Sequence, residues 1–256
     1  MNGEAAVLSE RRERVLLITI NRPDQRNAVN AAVAEGIAGA LDQLDREPDL
    51  SVGVLTGAGK GFSAGMDLKA FVTGERPYAG ERGFAGIVER PAEKPLIAAV
   101  EGFALAGGLE IALACDMIVA SRGARLGIPE VKRSLVAAGG GLLRLPRTLP
   151  RNLAMELALT GDPIDAARAY ELGLVNRLTE PGGALAEALR LAEAVAVNGP
   201  LALRASKRIL VESGDWPSAE FFTRQRKIVE PVMSSEDARE GATAFAEKRP
   251  PVWKGR

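Results

Sequence analysis

Short runs of aliphatic residues, each followed by a glycine-containing loop or a helical pattern, recur in this chain as far as Pro150. Runs of this length bounded by turn signals are typical of buried β-strands. They predict strands over residues 15–20, 52–56, 96–100 and 117–120. Because strands that are apolar throughout must be covered on both faces, the alternation with helices predicts an α/β domain.

Helical periodicity marks the intervening and later segments. Between residues 30 and 47, apolar side chains recur at Val33, Ile37, Leu41 and Leu44, which is the spacing of an amphipathic helix. Beyond Pro150 the strand signals thin out, and helices are predicted over residues 153–159, 164–172, 185–197, 201–211 and 236–247. The expected organisation is an α/β core followed by a helical C-terminal third.

The overall composition narrows the function and the compartment. The chain has 33 basic and 33 acidic residues, and this neutral balance argues against nucleic-acid binding, which favours a strongly basic face. The N-terminus lacks the apolar core of a signal peptide, and no apolar stretch approaches the roughly 18 residues that span a membrane. Cys115 is the only cysteine, so an intrachain disulfide is excluded. We therefore expect a soluble, cytoplasmic protein.

The absence of histidine restricts the possible chemistry most strongly. It excludes Ser-His-Asp and Cys-His nucleophile systems, histidine-ligated zinc and imidazole as a general base. With one cysteine, thiolate-rich metal sites are excluded as well, and no metal is expected. An enzyme with this composition would depend on carboxylates, lysines, tyrosines and backbone amides.

The first candidate segment is the glycine-containing loop over residues 56–67. Its glycines do not have the G-x-G-x-x-G spacing, and Lys60 is followed by glycine rather than serine or threonine, so a phosphate loop is disfavoured. Ala64 and Gly65 precede a predicted helix that starts at Asp67. The start of a helix offers unpaired amides to a developing negative charge. A simple flexible turn is the alternative.

Two further segments carry candidate carboxylates. Gly107 lies where a strand gives way to a helix, and Glu110 falls in the first helical turn, where a carboxylate also suits the helix dipole. Glu130 follows Pro129 in an apolar stretch and could be an ordinary first-turn residue. The glycines at 139–141 permit a close backbone approach, although such runs are also common in turns. On these residues alone, structural and functional roles both stay open.

Together the segments resemble the crotonase, or enoyl-CoA hydratase/isomerase, family. The resemblance spans nearly the whole chain, and its motifs are specific because they occur in register. The matching motifs are Asn21-Arg22-Pro23 with Asn27-Ala28, residues 62–68, residues 102–110 with Cys115-Asp116, Pro129-Glu130, and residues 245–250.

The resemblance implies a fold and an assembly. The expected fold is a crotonase-like spiral of ββα units over residues 1–195, whose turns build two roughly perpendicular sheets. A helical region over residues 196–256 would provide trimer contacts. The implied assembly is a homotrimer or a dimer of trimers.

The resemblance also assigns roles to individual residues. The amides of Ala64 and Gly107 would form an oxyanion hole, and Glu110 and Glu130 would be the two catalytic glutamates. Coenzyme A would enter as part of the substrate, and no separate cofactor is implied. The groove that binds the CoA thioester would be lined by Ala64, Gly65, Met66, Asp67, Leu68 and Gly107. Cations near it include Arg22, Arg26 and Lys69, with Lys248 or Arg249 reaching in from a neighbouring subunit.

The pair of glutamates favours a hydratase that adds water across the 2,3-double bond of a trans-2-enoyl-CoA. Two carboxylates that share one water should raise the pKa of one of them. Isomerases of the family commonly keep only the carboxylate matching Glu130, and hydrolases, dehalogenases and ring-forming synthases are further alternatives. A non-enzymatic acyl-CoA-binding protein would not need both glutamates, and the neutral charge gives no support to RNA binding. Ala138 replaces a glycine that is frequent in family hydratases, which leaves efficiency and substrate preference open.

Overall fold

The computed structural model describes residues 5–256, and it contains all four predicted strands within one residue of their expected bounds. The strands are β1 Val7–Arg12, β2 Val15–Ile20, β3 Val52–Gly57, β4 Leu96–Val100, β5 Phe103–Leu105, β6 Met117–Ser121, β7 Arg125–Gly127, β8 Ile164–Asp165 and β9 Arg177–Thr179. The helices are α1 Ala31–Arg46, α2 Leu68–Val72, α3 Gly107–Ala114, α4 Gly141–Thr148, α5 Arg151–Thr160, α6 Ala166–Glu171, α7 Ala184–Ala196, α8 Pro200–Glu212, α9 Phe221–Met233 and α10 Glu236–Glu247.

The strands form two sheets. The larger has the order β1-β2-β3-β4-β6-β9 and is parallel except for the β1–β2 hairpin. The smaller has the order β5-β7-β8. After β4 the chain passes directly to β5 in the other sheet and then into α3, which gives the ββα unit. The α/β fold class predicted from the sequence is confirmed.

The larger sheet is covered on both faces, which explains its uninterrupted aliphatic strands. On one face, Leu16 and Ile18 of β2 belong to the same buried cluster as Leu41 of α1. On the other face, Leu17 clusters with Ala192 of α7. Alternate residues of one strand therefore enter two different hydrophobic clusters.

One predicted helix begins later than expected. Residues 164–172 open with the short strand β8, in which Ile164 pairs with Leu126 of β7. Asp165 then caps α6, because its carboxylate accepts a hydrogen bond of 2.7 Å from the amide of Arg168. The aspartate that ends the strand thus also starts the helix.

Polar contacts join the C-terminal region to the end of α7 and to the connection between α3 and β6. Lys207 of α8 forms an ion pair of 2.7 Å with Asp116, and the indole of Trp253 donates to the carbonyl of Val197 at 2.8 Å. No helix within residues 5–256 is long and apolar enough to cross a membrane. The implied trimer stays a prediction, and the exposed side chains of Phe222 and Phe245 are consistent with it.

Arg82 anchors the loop between α2 and β4, and its removal should destabilise the fold. Its side chain is buried, and it donates to Asp42 and to the carbonyl of Arg90, both at 2.7 Å. Arg82→Met should lower the free energy of unfolding by about 2–3 kcal/mol, because it removes the hydrogen bonds made by a buried, charged guanidinium. Arg90→Met is the control, since Arg90 is exposed and pairs with the same Asp42, and it should cost less than about 1 kcal/mol. Urea denaturation measures both variants, and equal losses of unfolding free energy in the two would contradict this role of Arg82.

Candidate active site

Glu110 is held inside the protein by the start of α3 and by a glycine turn. It lies in the first turn of α3 and is only 3% exposed. Its Oε1 accepts a hydrogen bond of 2.9 Å from the amide of Gly141. A Cβ at Gly139 would lie 2.6 Å from Oε2 of Glu110, so the backbone there approaches the carboxylate too closely for a side chain. The glycine run at residues 139–141 therefore packs against the carboxylate of Glu110.

Glu130 contributes a second carboxylate. It is the second residue of a 3-10 helix, Pro129–Arg133, that follows β7. Its Oε2 is buried and has no hydrogen-bond partner among the residues that the structure describes. Because an unsatisfied buried polar atom is costly, this oxygen is available for a substrate or a water molecule.

Burial makes both carboxylates harder to ionise. Burial, together with the smaller effect of the Glu110 charge, raises the pKa of Glu130 to about 7. Burial also raises the pKa of Glu110, but the amides of Gly141 and Gly139 and the charge of Arg144 oppose that effect. The carboxyl of Glu130 therefore titrates near neutral pH, with a pKa of about 7.

The amide predicted at Ala64 is not available to a substrate. It donates a hydrogen bond of 3.1 Å to the carbonyl of Arg26. The amide of Met66 is free instead. The carbonyl of Gly65 and the amide of Asp67 both form hydrogen bonds with Val29. Because bonding groups alternate along an extended strand, the amide of Met66 between them points away from Val29. The expectation for Ala64 is therefore corrected in favour of Met66.

Gly107 provides a second free amide close to this one. Within residues 5–256, neither the Met66 amide nor the Gly107 amide donates to a protein acceptor. The two segments touch at Gly65, where a Cβ would lie 2.8 Å from the nitrogen of Gly107. Two unpaired amides at one place form an anion-binding position.

The backbone around Gly107 is strained. Ala106 has φ 53° and ψ −131°, a conformation that strongly favours glycine, and it directly precedes the free amide. A Cβ at Gly107 would lie 2.6 Å from the ring of Phe84, which is buried beside it. Phe84 thus forms an apolar wall next to the two amides.

The side chains predicted to line the groove differ in their contacts and exposure. Arg22 and Asp67 bind each other at 3.0 Å, and Asp67 also caps α2, so both side chains stabilise the loop. Arg26 is exposed and lies over the ring of Phe103, 4.5 Å from its centre. Leu68 opens α2 and is exposed.

The other cations proposed for the groove lie at different places. Lys69 is exposed on α2, directly after Leu68. Lys248 and Arg249 follow α10, and Arg249 is paired with Glu240 at 2.6 Å and with Glu247 at 2.7 Å. Within this chain the guanidinium of Arg249 therefore already has carboxylate partners.

Ala138 is accommodated without backbone strain. Its φ is not in the left-handed region, and the left-handed residue of this turn is Gly140, with φ 93°. The replacement of a frequent family glycine therefore leaves the turn intact. No group of three potential ligands for a metal ion occurs within residues 5–256.

The chain is similar over nearly its whole length to proteins of one family. The sequence model of the enoyl-CoA hydratase/isomerase family matches residues 10–256. A crystal structure of an enoyl-CoA hydratase from Mycobacterium tuberculosis H37Rv is 60% identical, covers 99% of this chain and 100% of its own, and superimposes with a TM-score of 0.97.

Curated relatives carry two names. An enoyl-CoA hydratase of Mycobacterium tuberculosis is 44% identical over 97% of this chain and 96% of its own length. A carnitinyl-CoA dehydratase of Salmonella typhi is 42% identical over 94% of this chain and 95% of its own length. Because the family model matches nearly its whole length, the chain belongs to the enoyl-CoA hydratase/isomerase family.

Proposed function

We propose that this protein is an enoyl-CoA hydratase, which adds water across the 2,3-double bond of a trans-2-enoyl-CoA to give a 3-hydroxyacyl-CoA. The observation that carries the proposal is the unpaired buried oxygen of Glu130 beside the charge of Glu110. Relatives named as a hydratase and a dehydratase support the same chemistry in its two directions. Coenzyme A enters as part of the substrate, with no separate cofactor.

The free amides of Met66 and Gly107 hold the thioester oxygen. Attack of water at C3 moves the π electrons of the double bond towards this oxygen and creates an enolate. Amides that are already oriented stabilise the developing charge without further reorganisation, and one such donor is typically worth about 3–4 kcal/mol. The ring of Phe84 makes one side of this position apolar.

The two glutamates exchange protons with the reacting atoms. Ionised Glu110, fixed by the amide of Gly141, accepts a proton from the water as its oxygen bonds to C3. Protonated Glu130 gives its proton to C2 as the enolate collapses to the thioester. Glu110 is then protonated and Glu130 ionised, and proton exchange restores the starting state.

The segment from Ala64 to Leu68 forms the border of the CoA groove in this proposal. Its backbone carries the Met66 amide, and the ion pair between Arg22 and Asp67 keeps its shape. Arg26 is an exposed cation next to this border, since its carbonyl accepts a hydrogen bond from the amide of Ala64. We propose Arg26 as a partner for a phosphate of CoA and assign Arg22 to support of the loop.

Loss of enoyl-thioester absorbance with crotonyl-CoA and longer trans-2-enoyl-CoAs tests the proposal. Rapid loss, with 3-hydroxyacyl-CoA as the product, is expected. Dehydration of carnitinyl-CoA belongs in the same panel, because the relatives include enzymes of that name. Release of free CoA would indicate a hydrolase, and conversion of 3-enoyl-CoA without hydration would indicate an isomerase; either result alone would overturn the assignment.

The rate of hydration should fall on both sides of neutral pH. Because Glu130 must be protonated, kcat/KM should decline as the pH rises through about 7, where its carboxyl ionises. A second decline is expected at lower pH, where Glu110 becomes protonated. Initial rates with crotonyl-CoA in buffers of constant ionic strength provide the measurement. A flat profile from about pH 6 to about pH 9 would contradict these roles.

A further inference from the structure

Arg144 is a half-buried cation that the reaction as described does not use. It lies in the first turn of α4. Its Nη2 donates to the carbonyl of Val88 at 2.5 Å, and its Nη1 lies 3.3 Å from the carbonyl of Gly139. It forms no ion pair with any carboxylate among residues 5–256. A half-buried guanidinium without a paired carboxylate calls for another source of compensation.

The two carbonyls belong to two segments that meet at the active site. Val88 follows the loop of Phe84, which packs on Gly107. Gly139 belongs to the turn whose amides bind Glu110. The guanidinium of Arg144 therefore links the wall beside the free amides to the support of the carboxylate.

The turn is fitted closely around this side chain. Gly140 has φ 93°, and a Cβ there would overlap Nη1 of Arg144. The amide of Arg144 also bonds to the carbonyl of Gly140 at 2.9 Å. Backbone and side chain of Arg144 thus hold the same turn from two directions.

The charge of Arg144 acts on Glu110. It lowers the pKa of Glu110, as do the amides of Gly141 and Gly139, and these effects oppose burial. The groups that act on Arg144 itself are Glu110, Cys115 and Arg147. Burial keeps the Cys115 thiol neutral by raising its pKa.

Other charges act on Glu130. Glu130 is influenced by Glu110 and by Arg133 on its own 3-10 helix. Of the two glutamates, Glu110 is the one on which Arg144 acts. Arg144 therefore distinguishes between the two carboxylates.

We propose that Arg144 is a positioning residue for hydration, which holds the Gly139–Gly141 turn against Glu110 and keeps Glu110 as the carboxylate of the pair. The inference rests on the proposed function, because it assigns Glu110 the role of proton acceptor. Arg144 acts through Glu110 and the turn and does not itself react with the substrate.

Variants of Arg144 test the proposal by the rate of hydration and its pH profile. Arg144→Met should lower kcat by roughly 10–100-fold with little change in KM, because small displacements of a reacting group have effects of this size. Its low-pH decline should move to higher pH. Arg144→Lys should restore the position of that decline but only part of kcat, since lysine supplies the charge without the two-sided hydrogen bonding. Arg147→Met is the control, because Arg147 is exposed on the same helix.

A direct titration of Glu110 separates this proposal from the function itself. Carbon-13 NMR of protein labelled at glutamate carboxyls, with the signal assigned by Glu110→Gln, should show a higher pKa for Glu110 in Arg144→Met than in wild type. An unshifted Glu110 titration in folded Arg144→Met, with or without a loss of rate, would overturn the proposal. If wild type hydrates no acyl-CoA, the proposed function fails while the NMR titration still decides the role of Arg144. If Arg144→Met does not fold, Arg144→Lys decides, and wild-type kcat in that variant would overturn the proposal.

Discussion

Glutamine in place of Glu130 should lower kcat for hydration by about 10³-fold, because a neutral amide can neither protonate C2 nor regain that proton. The fold should remain, since the buried Oε2 of Glu130 makes no hydrogen bond that the variant would lose. The same change in Glu110 should have a comparable effect by removing the proton acceptor. Stopped-flow absorbance with crotonyl-CoA measures both variants.

The double variant shows whether the two glutamates act on one water. If they do, it should be about as slow as the slower single variant, since residues that act as a unit are not additive. Glu156→Gln is the control, because Glu156 is an exposed glutamate of α5. Wild-type rates in either single variant, or losses that multiply in the double variant, would contradict a shared site.

The Glu130→Gln variant should also reveal what the site costs in stability. Burial raises the folded-state pKa of this carboxyl from 4.5 to about 7. Ionising it in the folded protein is therefore unfavourable, and the penalty grows as the pH rises between these two values. The difference in unfolding free energy, variant minus wild type, should therefore increase as the pH rises from about 5 to about 8.

Alanine in place of Gly65 should lower kcat/KM by about 10²–10³-fold, the effect expected when one donor of an oxyanion hole is lost. Its Cβ would lie 2.8 Å from the nitrogen of Gly107 and would push the two free amides apart. The φ of +89° at Gly65 adds backbone strain, which must be separated from the steric effect.

Gly74→Ala provides that separation. Gly74 has φ +92°, but a Cβ there would meet no atom within 4 Å. It therefore imposes the same backbone strain without obstructing the amides, and its hydration rate should stay close to wild type. Equal losses of kcat/KM in the two variants would show that strain, and not the obstruction of Gly107, causes the effect.

The sequence alone supports the fold class wherever burial leaves a local pattern. Strands β2 and β4 are visible because both faces of the larger sheet are covered and the chain must be apolar throughout. Strand β1 leaves no such pattern, since it lies at the edge and is largely exposed. The short strand β8 cannot be predicted from its own residues, because it is defined by pairing with β7, which is distant in sequence.

The sequence by itself also restricted the possible chemistry, because the absence of histidine excludes imidazole chemistry and the family resemblance points to Glu110 and Glu130. Only the tertiary structure showed which backbone amides are unpaired and how the environment shifts the pKa of each glutamate. Whether the Ala64 or the Met66 amide is free depends on pairing with Arg26 and Val29 from another part of the chain. Likewise, an ionisable group takes its proton affinity from burial and from neighbouring charges, and these exist only after distant segments have been packed together.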